Sequence, residues 1–135
     1  MAEQQPSKMV RRDFVKRFLR RSLAVVTIIG LVYGLATGST FFVFDPASRK
    51  LVHQEKVPQY GGTTGGQAPR TILLGPDKKL YVYFRAAIVR IEPGTPKHEL
   101  LAKPPAPIQV GIVLRRGRLY FTDTAHLWSY DVPGL

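Results

Sequence analysis

The chain has 135 residues, 20 Lys and Arg against 9 Asp and Glu, a formal net charge of +11 and no cysteine. The length leaves room for one small domain beside an N-terminal segment, and the missing cysteine excludes disulfide staples, thiolate metal ligands and a cysteine nucleophile. The charge divides into +5 over residues 1–38 and +6 over the remainder, where basic residues are scattered from Arg49 to Arg118. Scattered charge of this kind makes a solvated face, or docks an acidic protein or an anionic lipid surface.

The chain opens on a basic segment, residues 1–21, holding Lys8, Arg11, Arg12, Lys16, Arg17, Arg20 and Arg21. Within it, Val10-Arg11-Arg12-Asp13-Phe14-Val15-Lys16 resembles the twin-arginine export motif, matching both arginines, the phenylalanine and the lysine. That resemblance implies Arg11, Arg12, Phe14 and Lys16 as export-signal residues of a bacterial protein sent to or across the inner membrane.

The 23 residues from Ser22 to Phe44 carry no charge. As a helix they would rise about 34 Å, enough for a bilayer core of about 30 Å. The basic block before them marks the cytoplasmic side. Because Phe42-Val43-Phe44 belongs to a β pattern described next, the transmembrane helix is expected over residues 22–40. The run exceeds the roughly 7–15 apolar residues of a cleaved signal, which favours an uncleaved anchor over cleavage near Ala36-Thr37-Gly38. Gly30 and Gly34 form Gly-x-x-x-Gly, a small-residue face that lets membrane helices approach closely.

After Thr40 the pattern changes to short β-rich runs. Phe42-Val43-Phe44-Asp45-Pro46 superimposes on Val89-Arg90-Ile91-Glu92-Pro93 and on Trp128-Ser129-Tyr130-Asp131, with offsets of 47 and 39 residues. Upstream, Ile72-Leu73-Leu74, a turn and Leu80-Tyr81 match Ile112-Val113-Leu114, a turn and Leu119-Tyr120. The glycine-rich stretch at 61–66 fills the wider gap as a flexible turn. Lys103-Pro104-Pro105-Ala106-Pro107 passes between units, since proline cannot join a central ladder. A repeat near forty residues built of short strands predicts propeller blades. The fold class expected is therefore mainly β, small antiparallel blade-like sheets, with one N-terminal transmembrane helix. Residues 41–135 form an outer, periplasmic domain of about two blades and one extra strand. Such a domain leaves sheet edges that a partner must cover.

Leu119-Tyr120-Phe121-Thr122-Asp123-Thr124 resembles the Tyr-Trp-Thr-Asp blades of low-density-lipoprotein-receptor-type propellers, and is similar to blades of gluconolactonase and strictosidine-synthase-like propellers. The resemblance implies a structural Asp123 that serves mainly blade-to-blade hydrogen bonding.

No catalytic set emerges. His53, His98 and His126 show no ligand spacing, no serine lies in Gly-x-Ser-x-Gly, and the glycine-rich stretch lacks the Lys-Ser/Thr of a phosphate loop. Trp128, Tyr130, Tyr120 and Tyr81 fall at strand period and read as packing. The function expected is non-catalytic: a single-pass accessory subunit of a larger bacterial membrane complex, such as a respiratory or photosynthetic one, in the inner membrane with a cytoplasmic N-terminus. Its partners would be the other subunits and the lipid bilayer, with no nucleic acid, cofactor or metal; several copies completing one ring is a less favoured arrangement. The alternative is the N-terminal part of an exported lactonase-like propeller enzyme whose metal ligands lie on blades beyond Leu135.

Overall fold

A computed structural model describes residues 22–28, 30–62, 71–95 and 97–135. Their strands form three antiparallel sheets. The first holds β1 (Ser22–Ile28), β2 (Leu31–Ala36), β3 (Thr40–Asp45) and β4 (Lys50–Lys56) in that order. A single 3-10 turn, Pro58–Tyr60, follows it. The second holds β5 (Ile72–Leu74), β6 (Leu80–Phe84), β7 (Ala87–Ile91) and β8 (His98–Ala102), also in chain order. The third has β9 (Val110–Arg115), β10 (Arg118–Thr122) and β11 (Leu127–Asp131), with β10 in the middle.

The three repeated segments of the sequence are the third strand of each sheet: β3, β7 and β11. Their partners agree as well, because β5 and β9 begin the second and third sheets and pair with β6 and β10. Turn chemistry sets these registers. In the β5–β6 turn, the Gly75 N–H donates to the Lys79 carbonyl at 2.8 Å and the Lys78 N–H to the Gly75 carbonyl at 3.0 Å. The Pro-rich segment 103–107 does connect the second sheet to the third.

The first sheet departs from expectation. No helix of the described residues is long and apolar enough to cross a membrane. Residues 22–40, read as a transmembrane helix, instead supply β1, β2 and the first residue of β3. The strand holding Phe42-Val43-Phe44 is not an extra one but the third of a four-stranded sheet, so three sheets stand in place of about two blades. The physical reason lies in β2 and β3. Tyr33, Leu35, Phe41 and Val43 are buried toward the second sheet, while Ala36 and Phe42 are buried on the opposite side. Strands covered on both faces lose polar alternation and read as a continuous apolar run. Two such strands and their hairpins reach the length of a membrane helix without its structure.

Gly30 and Gly34 change roles accordingly. Gly30 sits in the two-residue connection between the paired Ile28 and Leu31, at φ +73°, where glycine is at ease. Gly34 pairs with Phe42 across β2 and β3, and a Cβ added there would collide with the Phe42 ring. Neither glycine forms a helix-packing face. The export-motif residues Arg11, Arg12, Phe14 and Lys16 lie outside the described residues.

Two apolar layers hold the sheets together, and the second sheet belongs to both. Along β6 every residue is buried. Leu80, Val82 and Phe84 pack with Tyr33, Leu35, Phe41 and Val43 of the first sheet. Tyr81 and Tyr83 point the other way, against Leu119 and Phe121 of the third. Strand period 2 makes this division obligatory. Each fully buried side chain of this size contributes roughly 1.5–3 kcal/mol. Polar links reinforce both layers: the Gly94 N–H donates to the Tyr33 hydroxyl at 3.0 Å, and the Tyr130 hydroxyl donates to the Leu101 carbonyl at 3.1 Å.

Candidate functional site

Across the first layer, four side chains from three elements converge. Glu55 on β4 places Oε1 3.2 Å from His98 Nε2 on β8 and Oε2 3.4 Å from His53 Nε2 on its own strand. The other nitrogen of His98, Nδ1, lies 2.7 Å from the Tyr60 hydroxyl. Burial alone would raise the Glu55 carboxyl, yet hydrogen bonds and charge from His98 and then His53 hold it below its ordinary value. Burial raises the Tyr60 hydroxyl. Hydroxyl, imidazole and carboxylate in a row is the order of an activated nucleophile. Here, however, Tyr60 is buried, 7% exposed, with its ring against Phe84 at 5.3 Å. The row ties two sheets together. Among the described residues no group of three His, Cys, Asp or Glu side chains is arranged to hold a metal ion.

Asp123 closes the β10–β11 turn. Its Oδ1 accepts the N–H groups of Ala125 at 2.7 Å and His126 at 2.6 Å, and Oδ2 accepts the Trp128 indole N–H at 2.9 Å. The bonds from Ala125 and Trp128 hold its carboxyl far below the usual range. All these partners are local, so the residue organises its own hairpin. His126 stacks near Trp128 at 5.8 Å and stays on the surface.

Nothing in the local residue pattern brings His53, Glu55, Tyr60 and His98 together. His53 and Glu55 alternate on one strand face, which was available; the arrival of His98, 43 positions from Glu55, depends on how two sheets pack.

The most exposed apolar surface belongs to the third sheet. On the face turned away from the second sheet, Val113 pairs with Tyr120, and Leu127 with Thr122. Leu127 is 72% exposed and Val113 53%. Among the described residues nothing covers that face, and no strand pairs with the far edge of β11, where the first two sheets carry a fourth strand. Beside it, a cleft of about 480 Å³ opens between β5 and β9, lined by Leu73, Leu74, Pro76, Val113, Leu114 and Arg116.

No family model matches the chain, and no curated protein matches it. Solved structures do. The chain is similar to RRP9 WD40 repeats at a TM-score of 0.61 and 15% identity, covering 83% of this chain and 36% of that one. It is similar to the extracellular domain of the putative one-component system BT4673 from B. thetaiotaomicron at 0.60 and 19%, covering 82% and 15%. U3-55K gives 0.59 and 14%, covering 83% and 36%. At these identities the likeness shows the fold alone: propeller-like, antiparallel blade sheets. The chain spans about a third or less of the length of these structures.

Proposed function

We propose that this chain is a non-catalytic assembly element, a set of propeller-like blades whose exposed apolar sheet face is covered by a protein partner. One observation carries the reading: on the third sheet Leu127 is 72% and Val113 53% exposed, on the face turned away from the second sheet. The partnered state of Glu55, Tyr60, His98 and Asp123, with Tyr60 buried as well, supports a structural use of the polar groups that resembled chemistry.

The membrane setting expected from the sequence forms no part of this reading, because the apolar run on which it rested supplies β1, β2 and β3. Gentle extraction of the full chain from its source, followed by light-scattering sizing, tests the role. A particle well above the 15.1 kDa of one chain is expected. A folded, monodisperse monomer would overturn the reading.

A further inference from the structure

We infer that the cleft between β5 and β9 is a docking groove for an acidic protein segment that carries apolar side chains. The inference rests on the assembly role above and names the chemistry of one partner. The floor is apolar: Leu73 and Leu114 lie within it, while Leu74, 49% exposed, and Val113 stand at its mouth with Pro76. One cation, Arg116, lines the cleft. Lys78 and Lys79 follow the lining Pro76 in the β5–β6 turn, and Arg115 precedes Arg116 at the end of β9.

The side-chain carboxylates near these turns are already engaged, and the Leu135 carbonyl group lies against Gly117, which also lines the cleft. Asp77 Oδ2 accepts the Tyr81 hydroxyl at 2.8 Å, and Oδ1 accepts the Lys79 N–H at 3.2 Å. Asp131 is paired with Arg118, whose Nε and terminal nitrogen donate to it at 2.5 and 3.1 Å. Among the described residues no carboxylate pairs with the side chains of Lys78, Lys79, Arg115 or Arg116. Lys78 and Arg116 both take a positive φ in their turns, +61° and +50°. Glycine or asparagine adopts that conformation more readily, yet both positions hold long cationic side chains in solvent.

Charge selects the occupant. Residues 1–21 carry seven Lys and Arg against two acids, and 63–70 add only Arg70. A second copy of the chain brings a net +11. All of these are repelled by a basic rim, whereas an acidic segment is drawn to it and its apolar side chains match the floor.

Fluorescence anisotropy on the full chain tests the inference, with a short labelled peptide of repeated Glu-Asp-Leu as probe and a poly-glutamate peptide as comparison. The Glu-Asp-Leu probe should bind more tightly, and its affinity should fall with added salt. The Lys78→Gly, Arg116→Gly double variant keeps a residue suited to both turns, so it folds, and should bind roughly tenfold more weakly. Leu74→Ser should weaken the Glu-Asp-Leu probe and leave poly-glutamate unchanged. Equal binding of the two peptides, an undiminished double variant, or preference for single-stranded RNA or phosphatidylserine vesicles would each overturn the groove. The sizing experiment above is read separately: an assembled particle with no peptide binding sinks this inference and leaves the assembly role standing.

Discussion

Glu55 Oε1 and His98 Nε2 stand 3.2 Å apart and join the last strand of the first sheet to the last strand of the second. The link sits outside the apolar layer that does most of the work, so its contribution depends on pH. The Glu55 carboxyl is held below its ordinary value of 4.5. A depressed folded pKa gives stability that is complete above the ordinary value and lost as pH falls through the depressed one. Glu55→Gln should therefore cost less than about 1 kcal/mol near neutrality, since solvent screens a side chain that is a third exposed. The gap between the two proteins should close as pH drops below about 4.5. Urea midpoints measured across that range check this; a constant gap would contradict it.

Replacement of the two glycines separates strand from helix over residues 22–36. Gly34→Ala places a methyl into the Phe42 ring and should cost about 1–3 kcal/mol or more. Gly30→Ala meets no atom within 4 Å but sits at φ +73°, so it should cost about 1–2 kcal/mol. In a helix, alanine at either place would instead gain roughly 0.5–1 kcal/mol over glycine. Thermal unfolding followed by circular dichroism reads the sign for both variants. Stabilisation in both would restore the helix.

The same segment shows what the sequence could and could not convey. β7, β10 and β11 were legible because turn residues bound each of them, and because the third-strand phrase of β7 and β11 and the Leu-Tyr phrase of β10 recur. β1 and β2 were not, because an apolar run is long enough for a membrane and is equally what two consecutive buried strands look like. Gly30 and the Thr37-Gly38-Ser39 turn were the available correction: glycines at φ +73° and +75° punctuate hairpins here. Asp123 was expected to bond from blade to blade, but its partners Ala125, His126 and Trp128 all lie in its own hairpin, where a turn aspartate caps N–H groups. The meeting of Glu55 with His98 was hidden, because local pattern does not encode which sheets pack together.

Two tyrosines on one strand make opposite predictions. Tyr81 donates to Asp77 at 2.8 Å, and burial followed by that carboxylate pushes its hydroxyl up to about 12. Tyr83 is 1% exposed, and its hydroxyl has no hydrogen-bond partner among the described residues. Removing a bonded hydroxyl should cost about 1–2 kcal/mol, while removing an unpartnered one relieves desolvation. Tyr81→Phe should therefore destabilise, and Tyr83→Phe should be neutral or stabilising by up to about 1 kcal/mol. Equal losses in chemical denaturation would show that Tyr83 does have a polar partner.

Charge placed on the exposed face of the third sheet separates folding from assembly. Leu127 and Val113 are mostly solvent-exposed, so Leu127→Lys and Val113→Lys should each change stability by no more than about 0.5 kcal/mol. If that face is covered in the assembled state, a buried lysine without a partner costs far more there than it does in the free chain. Each variant should unfold like the unmodified protein yet fail to co-purify in the larger particle. The matched control is Val52→Lys on β4, another exposed apolar position, 53% exposed, on the first sheet. Loss of the particle with Val52→Lys and retention with Leu127→Lys would move the covered surface to the first sheet. Loss with Leu127→Lys alone fixes it on the third, because a general effect of added positive charge would act at both positions.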